Sequence, residues 1–388
     1  MNVWIQNPFD NLPVEGYRKQ RYWLMAEAFA RAGHRVVLWT SDFNHMTKKL
    51  RELKSETVVD VPGIELRLLP TRPYRKNVSL ERVRSHRAYA KAWELLSKAG
   101  PKPDVIIVSL PPLAAGAVAW RLADRFGAKL VVDVQDAWPE TFYRLLPPGL
   151  GWLGKLVFAS AHRAARRAYC SADLVTGVCD RYEALVKGYG AKDYYRAYLG
   201  IPEGREVSPT VAAEGRIIRL AYVGNLGRSY DLETVLAGVQ SLRRQGVEVT
   251  LDIAGTGRTL AAAEGVCFHG MLPFGELQNL LSRCDVGVIP MREDSFVGLP
   301  NKLGDYVGAG LRVVSSLTGE TAQLLARYDC GRTYVAGDVA DFARAVRTAK
   351  DLPQAQSLRL AREELSANRI YRDYVRRIES LARKGSAT

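Results

Sequence analysis

The sequence predicts an α/β protein of two Rossmann-like domains in series. Three observations carry this expectation. The chain has 388 residues, too many for one ordinary core and enough for two domains of just under 200 each. Short apolar runs alternate with stretches of helical period, the pattern of parallel sheets covered on both faces. One aperiodic segment rich in Pro, Gly and small residues, GIPEGREVSPTVAAEGR at 200–216, interrupts the alternation near the middle. The expected domains are 1–200 and 201–370, with a last helix at 371–388 packing back on the first.

The elements follow in order. A strand at 3–5 leads through a polar loop, 7–18, to a helix at about 19–32 closed by Gly33, and then to a strand at 35–40. The polar stretch 42–54 reads as hinge-like. Strands are expected at 65–69, 104–109, 129–134 and 174–177, with helices between them, one of them basic and running from about 152 to 169. The second half opens with a strand at 217–223. Leu232, Val235, Leu236, Val239 and Leu242 then repeat with helical spacing, and strands follow at 249–254, 266–269, 286–290 and 312–315. The final basic helix carries Tyr371, Tyr374, Val375, Ile378 and Leu381 on one stripe. Two such domains in series place the active site in the cleft between them, at the C-terminal ends of the strands.

Composition narrows the class. Hydrophobic residues make up 47% and charged residues 25% of the chain, ordinary for a soluble globular protein. The N-terminus lacks the basic and apolar regions of a signal peptide. The most apolar stretch, 105–120, is interrupted by Pro111, Pro112 and Gly116 and falls short of the ~20 residues a spanning helix needs. Cys170, Cys179, Cys267, Cys284 and Cys330 form no CxxC pair and read as reduced core thiols of a cytosolic protein, so no metal or other cofactor is expected.

The charge is lopsided. Residues 1–200 hold 31 Lys and Arg against 19 Asp and Glu, a surplus of +12, while 201–388 hold 24 against 22, or +2. The densest basic run passes through Arg67, Arg72, Arg75, Lys76, Arg82, Arg84, Arg87 and Lys91, opposed within it only by Glu81. Such a run is either a solvated face or a surface for phosphates: lipid headgroups, a diphosphate-linked substrate or nucleic acid. No aromatic-basic RNA motif accompanies it, so nucleic acid is not an expected partner. A second cluster, Lys155, Arg163, Arg166 and Arg167, follows Trp152, Leu153, Leu156, Val157 and Phe158. One helix carrying both kinds of residue suits an anionic membrane surface.

Three motifs carry chemistry. Val223-Gly224-Asn225-Leu226-Gly227-Arg228 lies between a strand and a helix capped near Asp231; its glycines allow close approach of a ligand, and Arg228 adds a phosphate-binding charge. Ala254-Gly255-Thr256-Gly257 reads equally as a ligand-facing loop or a tight turn. The most specific runs from Ser295 through Leu299, Pro300, Asn301, Lys302 and Asp305 to Gly310. A helix starts just after Pro300, capped by Asn301, and aims backbone N–H groups and the Lys302 charge at a diphosphate. Asp305 lies one turn on, where it accepts from ribose hydroxyls or serves as a first-turn acid favoured by the helix dipole. Glu15, Gly16 and Arg18 sit on the first strand-to-helix loop and face the expected cleft. His34 and His269 read as structural.

With these residues in view, the second half resembles the retaining, two-domain glycosyltransferases of family 4, or group 1. The matching pieces are YVGNLG at 222–227, IAGTG at 253–257, FHGMLPFGELQNLLSRCDVGVIP at 268–290, GLPNKLGDYVGAGLRVVSS at 298–316, and Gly319-Glu320. The first half is similar more loosely, at 11–18 and at AGHRVVLWTSD, 32–42. VVDVQDAWPE at 131–140 is similar to a run in cell-envelope and exopolysaccharide members.

The resemblance implies the GT-B fold, with two domains facing across a cleft. It also implies transfer with retention from a UDP- or GDP-sugar to a lipid-linked or saccharide acceptor. Lys302, Arg228 and backbone N–H groups can stabilise the leaving diphosphate without a metal, and the basic, apolar-flanked surface of the first half leads us to expect peripheral attachment at the cytoplasmic face of the inner membrane. Lys302 and Arg228 would neutralise the donor diphosphate, Asp305 would hold the ribose, and Gly270, Met271 and Leu272 would border the base. Asp136 would assist the acceptor hydroxyl on the first domain. The family's pair of acids is altered: its second member is Asp305, Val297 stands eight residues before, and Glu293 or Asp294 is the candidate replacement. A nucleotide-sugar 2-epimerase of the same architecture and an inactive binding relative are the alternative readings.

Overall fold

The computed structural model describes residues 1–53, 62–147, 149–202, 217–227, 229–293 and 295–384. It divides into two compact units, Met1–Tyr198 with Asn368–Thr388, and Leu199–Ala367.

The first unit is a parallel sheet flanked by helices. Its strands are β1 (Asn2–Gln6), β2 (Arg35–Ser41), β5 (Ile64–Leu69), β6 (Val105–Leu110), β7 (Lys129–Val134), β8 (Leu174–Gly177) and β9 (Tyr194–Arg196). Their order is β5-β2-β1-β6-β7-β8-β9. The helices are α1 (Arg21–Arg31), α2 (Leu80–Leu96), α3 (Leu113–Phe126), α4 (Gly154–Val157), α5 (Ala159–Ser171) and α6 (Arg181–Gly188), joined from the far end of the chain by α13 (Ala367–Lys384). The central strands are continuous apolar runs because both faces of the sheet are covered: Val105 to Val108 are all solvent-free. Tyr371, Tyr374, Val375 and Ile378 of α13 are buried, the Tyr374 hydroxyl lies 3.3 Å from Thr176 Oγ1, and Glu379 meets His34 at 2.9 Å.

Two local expectations need correction. Part of the stretch read as a hinge forms a short antiparallel hairpin, β3 (Phe43–Asn44) with β4 (Lys49–Leu50); Lys54 lies outside the described residues. The single basic helix from 152 to 169 is instead a turn at Gly151–Leu153, then α4, then α5. The break falls at Phe158, whose ring packs 5.5 Å from Phe142 and 6.3 Å from Tyr143 and whose φ and ψ, −102° and 25°, leave the helical region. Anchoring that ring leaves Trp152, Leu156 and Val157 outward, at 76%, 75% and 55% exposure.

The second unit has strands β10 (Ile218–Val223), β11 (Val249–Ala254), β12 (Val266–Gly270), β13 (Val286–Ile289), β14 (Arg312–Ser315) and β15 (Gly331–Thr333). They form one parallel sheet in the order β12-β11-β10-β13-β14-β15. Its helices are α7 (Leu232–Arg244), α8 (Phe274–Leu281), α9 (Asn301–Gly308), α10 (Glu320–Tyr328), α11 (Val339–Ala349) and α12 (Gln354–Glu364). The apolar stripe of α7 packs with β10, β11 and α11 in one core. No described helix is long and apolar enough to cross a membrane.

Candidate active site

The second unit builds its site around α9. Lys302 and Tyr306 lie one turn apart and both turn inward. The Tyr306 hydroxyl accepts from the Val223 N–H at 2.9 Å and donates to the Val288 carbonyl at 3.2 Å, which ties α9 to the ends of β10 and β13. Gly287 makes room for that ring, since a β-carbon there would come within 2.2 Å of it. Lys302 then lies only 7% exposed, its ammonium 4.5 Å from the Tyr222 ring centroid, 4.0 Å from that of Tyr230 and 3.3 Å from the Tyr222 hydroxyl. Burial pushes its pKa down to about 7, against an upward pull from Asp305. Among the described residues it makes no ion pair.

The start of α9 differs from the expectation in one respect. Pro300 is the cap residue and Asn301 the exposed first helical residue, and no side chain caps the helix. Proline at this position takes the extended conformation, φ −81° and ψ 147°, so Asn301 already lies inside the first turn and its side chain cannot reach back. Leu299 before it is buried.

The two glycine loops of the second unit lie against each other. Gly224 N–H donates to the Ala254 carbonyl at 2.8 Å, and Leu226 N–H to that of Thr256 at 2.9 Å. Gly255 has φ +151°, and a β-carbon on it would come within 1.9 Å of the Gly224 carbonyl oxygen. One on Gly257 would meet the Leu226 backbone at 2.8 Å. Loop-to-loop packing therefore requires both glycines, whatever they bind. Asn225 borders them, its carbonyl accepting from the Tyr222 hydroxyl at 2.6 Å. Gly270 ends β12 with open space around it, followed by exposed Met271 and half-buried Leu272. Glu293 is exposed on a turn whose neighbour Arg292 donates to the Ser229 carbonyl at 3.1 Å. Arg228 and Asp294 lie outside the described residues.

In the first unit the two aspartates of VVDVQDAWPE, Asp133 and Asp136, have different surroundings. Asp133 is buried and takes a bidentate fork from Arg21 at 2.9 and 2.8 Å, with further bonds from Tyr22 at 2.6 Å, Thr176 at 2.6 Å and Gln135 at 2.7 Å. Burial alone would raise its pKa; Arg21 and the other donors hold it below the carboxylate range. Arg21 also donates to the Ala197 and Tyr198 carbonyls at 2.8 and 3.1 Å, so this cluster braces the fold. Asp136, three residues on, is open to solvent; partial desolvation raises its carboxyl, against Arg82. Of the three loop residues, Gly16 and Arg18 are exposed, while Glu15 is half-buried and pairs with Arg51.

Sequence reasoning missed His45, Tyr74 and His86, which gather around Asp136 with Arg82 of the basic run and Trp138. Arg82 and His86 lie one turn apart on α2 and the other three come from separate loops, a meeting that no local spacing signals. The thiols also need correction: Cys267 is exposed on β12, and its sulfur lies within 4.8 Å of donor atoms of His269 and Asp252. His269 Nε2 stands 2.6 Å from Asp252 Oδ1, and these three could offer a divalent metal one thiolate, one imidazole and one carboxylate.

Residues 19–198 match a family model described as a glycosyl transferase 4-like domain, and residues 218–350 one described as glycosyl transferases group 1. Together the two models span most of the chain, which belongs to the group 1 glycosyltransferases of family 4. Its fold is that of the GT-B enzymes. A sucrose-phosphate synthase of Thermosynechococcus elongatus superposes with TM-score 0.71 at 13% identity, over 98% of each chain. Anabaena HepE, solved with UDP and glucose, gives 0.66 at 12% identity over 98% of this chain and all of that one. WaaG, a glycosyltransferase involved in lipopolysaccharide biosynthesis, gives 0.60 at 15% identity over 96% and 95%. No curated protein matches this chain.

Proposed function

We propose that this glycosyltransferase moves a sugar from a UDP- or GDP-sugar, with retention and without a metal, to a lipid-linked or saccharide acceptor of envelope or exopolysaccharide synthesis. The observation that carries the reading is the Lys302 ammonium at the start of α9, beside the Gly224 loop and in no salt bridge among the described residues, Asp305 acting on it only at a distance. A nucleoside diphosphate leaving group develops charge as the glycosidic bond breaks. A preorganised cation and backbone N–H groups in a partly dry site stabilise that charge. Arg228 adds a second positive charge, and Asp305 holds the ribose. Gly270, Met271 and Leu272 border the base, and Glu293 or Asp294 contacts the donor sugar. HepE, solved with UDP and with UDP-glucose, supports a nucleotide-sugar donor.

The acceptor belongs to the first unit, near Glu15, Gly16 and Arg18, with Asp136 accepting from its hydroxyl. The enzyme works peripherally at the cytoplasmic face of the inner membrane, through exposed Trp152, Leu156 and Val157 beside Lys155 and the basic residues of α5.

A thermal-shift screen of UDP-, GDP- and TDP-sugars, followed by anomeric analysis of the product with and without EDTA, tests this reading. The right donor should raise the melting temperature by mass action. An inverted product, or activity that EDTA abolishes, overturns the mechanism. Epimerised donor in the absence of acceptor overturns the transfer.

A further inference from the structure

Four loops meet at the C-terminal ends of β1, β2, β5 and β7, the edge where open parallel sheets bind ligands. They bring together two cations. The Arg82 guanidinium lies 5.1 Å from the Trp138 ring centroid, 5.6 Å from Phe9 and 5.9 Å from Tyr74. The Lys48 ammonium lies 4.7 Å from the same Tyr74 ring and 3.3 Å from His45 Nδ1. Asn77 joins the two, accepting from Lys48 on its side chain at 2.5 Å and from Arg82 on its carbonyl at 2.9 Å.

Their charge is not balanced. Arg21, Arg51 and Arg67 of the same unit each meet a carboxylate, Asp133, Glu15 and Glu65. Arg75, Lys76, Arg84 and Arg87 of the basic run point to solvent. Among the described residues, Arg82 and Lys48 alone are partly buried, share one aromatic ring and form no ion pair; Asp136 acts on Arg82 only at a distance. Burial and these two cations push the pKa of His45 down to about 4, and burial with Arg82 and His45 pushes that of His86 to about 3, so both rings are neutral in the free protein. Two desolvated like charges disfavour each other unless an anion bridges them. A diphosphate supplies that anion, and guanidinium with ammonium is a pairing suited to phosphate oxygens.

We infer that Arg82 and Lys48, with His45, anchor the diphosphate of the acceptor, so that the enzyme takes a diphosphate-linked acceptor in preference to a neutral saccharide. This rests on the reading that the first unit holds the acceptor. Phe9 and Trp138, half-buried beside the anchor, offer apolar ring surface to the group that carries the diphosphate.

Calorimetry on the full chain decides, with inorganic pyrophosphate and farnesyl diphosphate as probes and saturating UDP present to occupy the second unit. Both probes should bind. Arg82→Gln and Lys48→Gln should each weaken them about tenfold, one charge-assisted contact's worth. Arg75→Gln, an exposed change in the same basic run, should leave them unaltered. Absence of binding, or equal affinity in all three variants, overturns the proposal. So does a loss confined to phosphatidylglycerol vesicles with pyrophosphate affinity unchanged, which would assign the pair to membrane headgroups. Should Arg82→Gln fail to fold, Lys48→Gln on the surface hairpin tests the same anchor. UDP affinity is measured separately: if UDP does not bind, the donor reading fails, and the variants are judged by pyrophosphate alone.

Discussion

A β-carbon on Gly224 would lie 2.7 Å from the ammonium nitrogen of Lys302. The first residue after β10 and the second residue of α9 thus occupy one space, and the glycine exists for the lysine as much as for the turn. Gly224 has φ +122°, a conformation that side chains rarely adopt. Loop and helix form one device, which holds the ammonium against the Gly224 turn.

Lys302→Ala should lower the transfer rate by about 10²–10³, the usual cost of removing one preorganised charge-stabilising group. Gly224→Ala should mimic it in part by displacing the ammonium. Steady-state kinetics with the donor found by thermal shift checks both. A loss under threefold for Lys302→Ala removes the lysine from the mechanism. Lys302→Met should raise the melting temperature at pH 6, because it removes a charge whose burial lowers its own pKa.

Donor affinity should depend on pH through the same group. Burial holds the free Lys302 near a pKa of about 7, and a bound diphosphate would raise it. Affinity should therefore be level below pH 7 and fall up to tenfold per unit above it, with proton uptake on binding at pH 8. The contribution to folding has the opposite sense: the depressed lysine pKa makes stability rise with pH between about 7 and the ordinary value of 10.5. Calorimetry with a nucleotide sugar in buffers of different ionisation enthalpy measures the uptake. No uptake at pH 8 assigns the proton elsewhere.

Asp305→Asn should weaken nucleoside diphosphate binding and move the pH break to a lower value, because Asp305 pulls the Lys302 pKa upward. An unmoved break with unchanged affinity would restrict Asp305 to a dipole-favoured place on α9.

Asp133→Asn should destabilise the first unit by about 3–5 kcal/mol, since it strands the buried Arg21 charge. UDP affinity, which the proposal assigns to the second unit, should stay the same. Chemical denaturation and calorimetry separate the two effects, and a stability change under about 1 kcal/mol would show that the network is dispensable.

Trp152→Ser combined with Leu156→Ser should abolish co-sedimentation with phosphatidylglycerol liposomes and leave the melting temperature unchanged, because both side chains are already solvent-exposed. Wild-type binding should fall as salt rises. Equal partitioning to neutral liposomes, or none to either, removes the membrane from the proposal.

The sequence by itself determined the kind of most elements and where the second unit's loops fall, though not the hairpin of β3 and β4 or the break at Phe158. Alternating and helical periods are local, and YVGNLG and GLPNKLGD each keep their chemistry within a few residues. Asp231 could be read as a cap because the Thr234 N–H it accepts lies three residues on.

What only the tertiary structure decided depends on partners far along the chain. Asp133 and Asp136 look alike in sequence, yet the first meets Arg21, 112 residues before it, and becomes a brace. The strand order β5-β2-β1-β6-β7 brings Phe9, Lys48, Tyr74 and Trp138 from four separate loops, and Arg82 from the first turn of α2, to one edge. Adjacent parallel strands set Cys267 opposite Asp252. A ring anchored at Phe158 broke a helix whose residues favoured continuity. Hydrophobic pattern fixes which face of an element is buried, but not which element covers it, and charges are paired by that second choice.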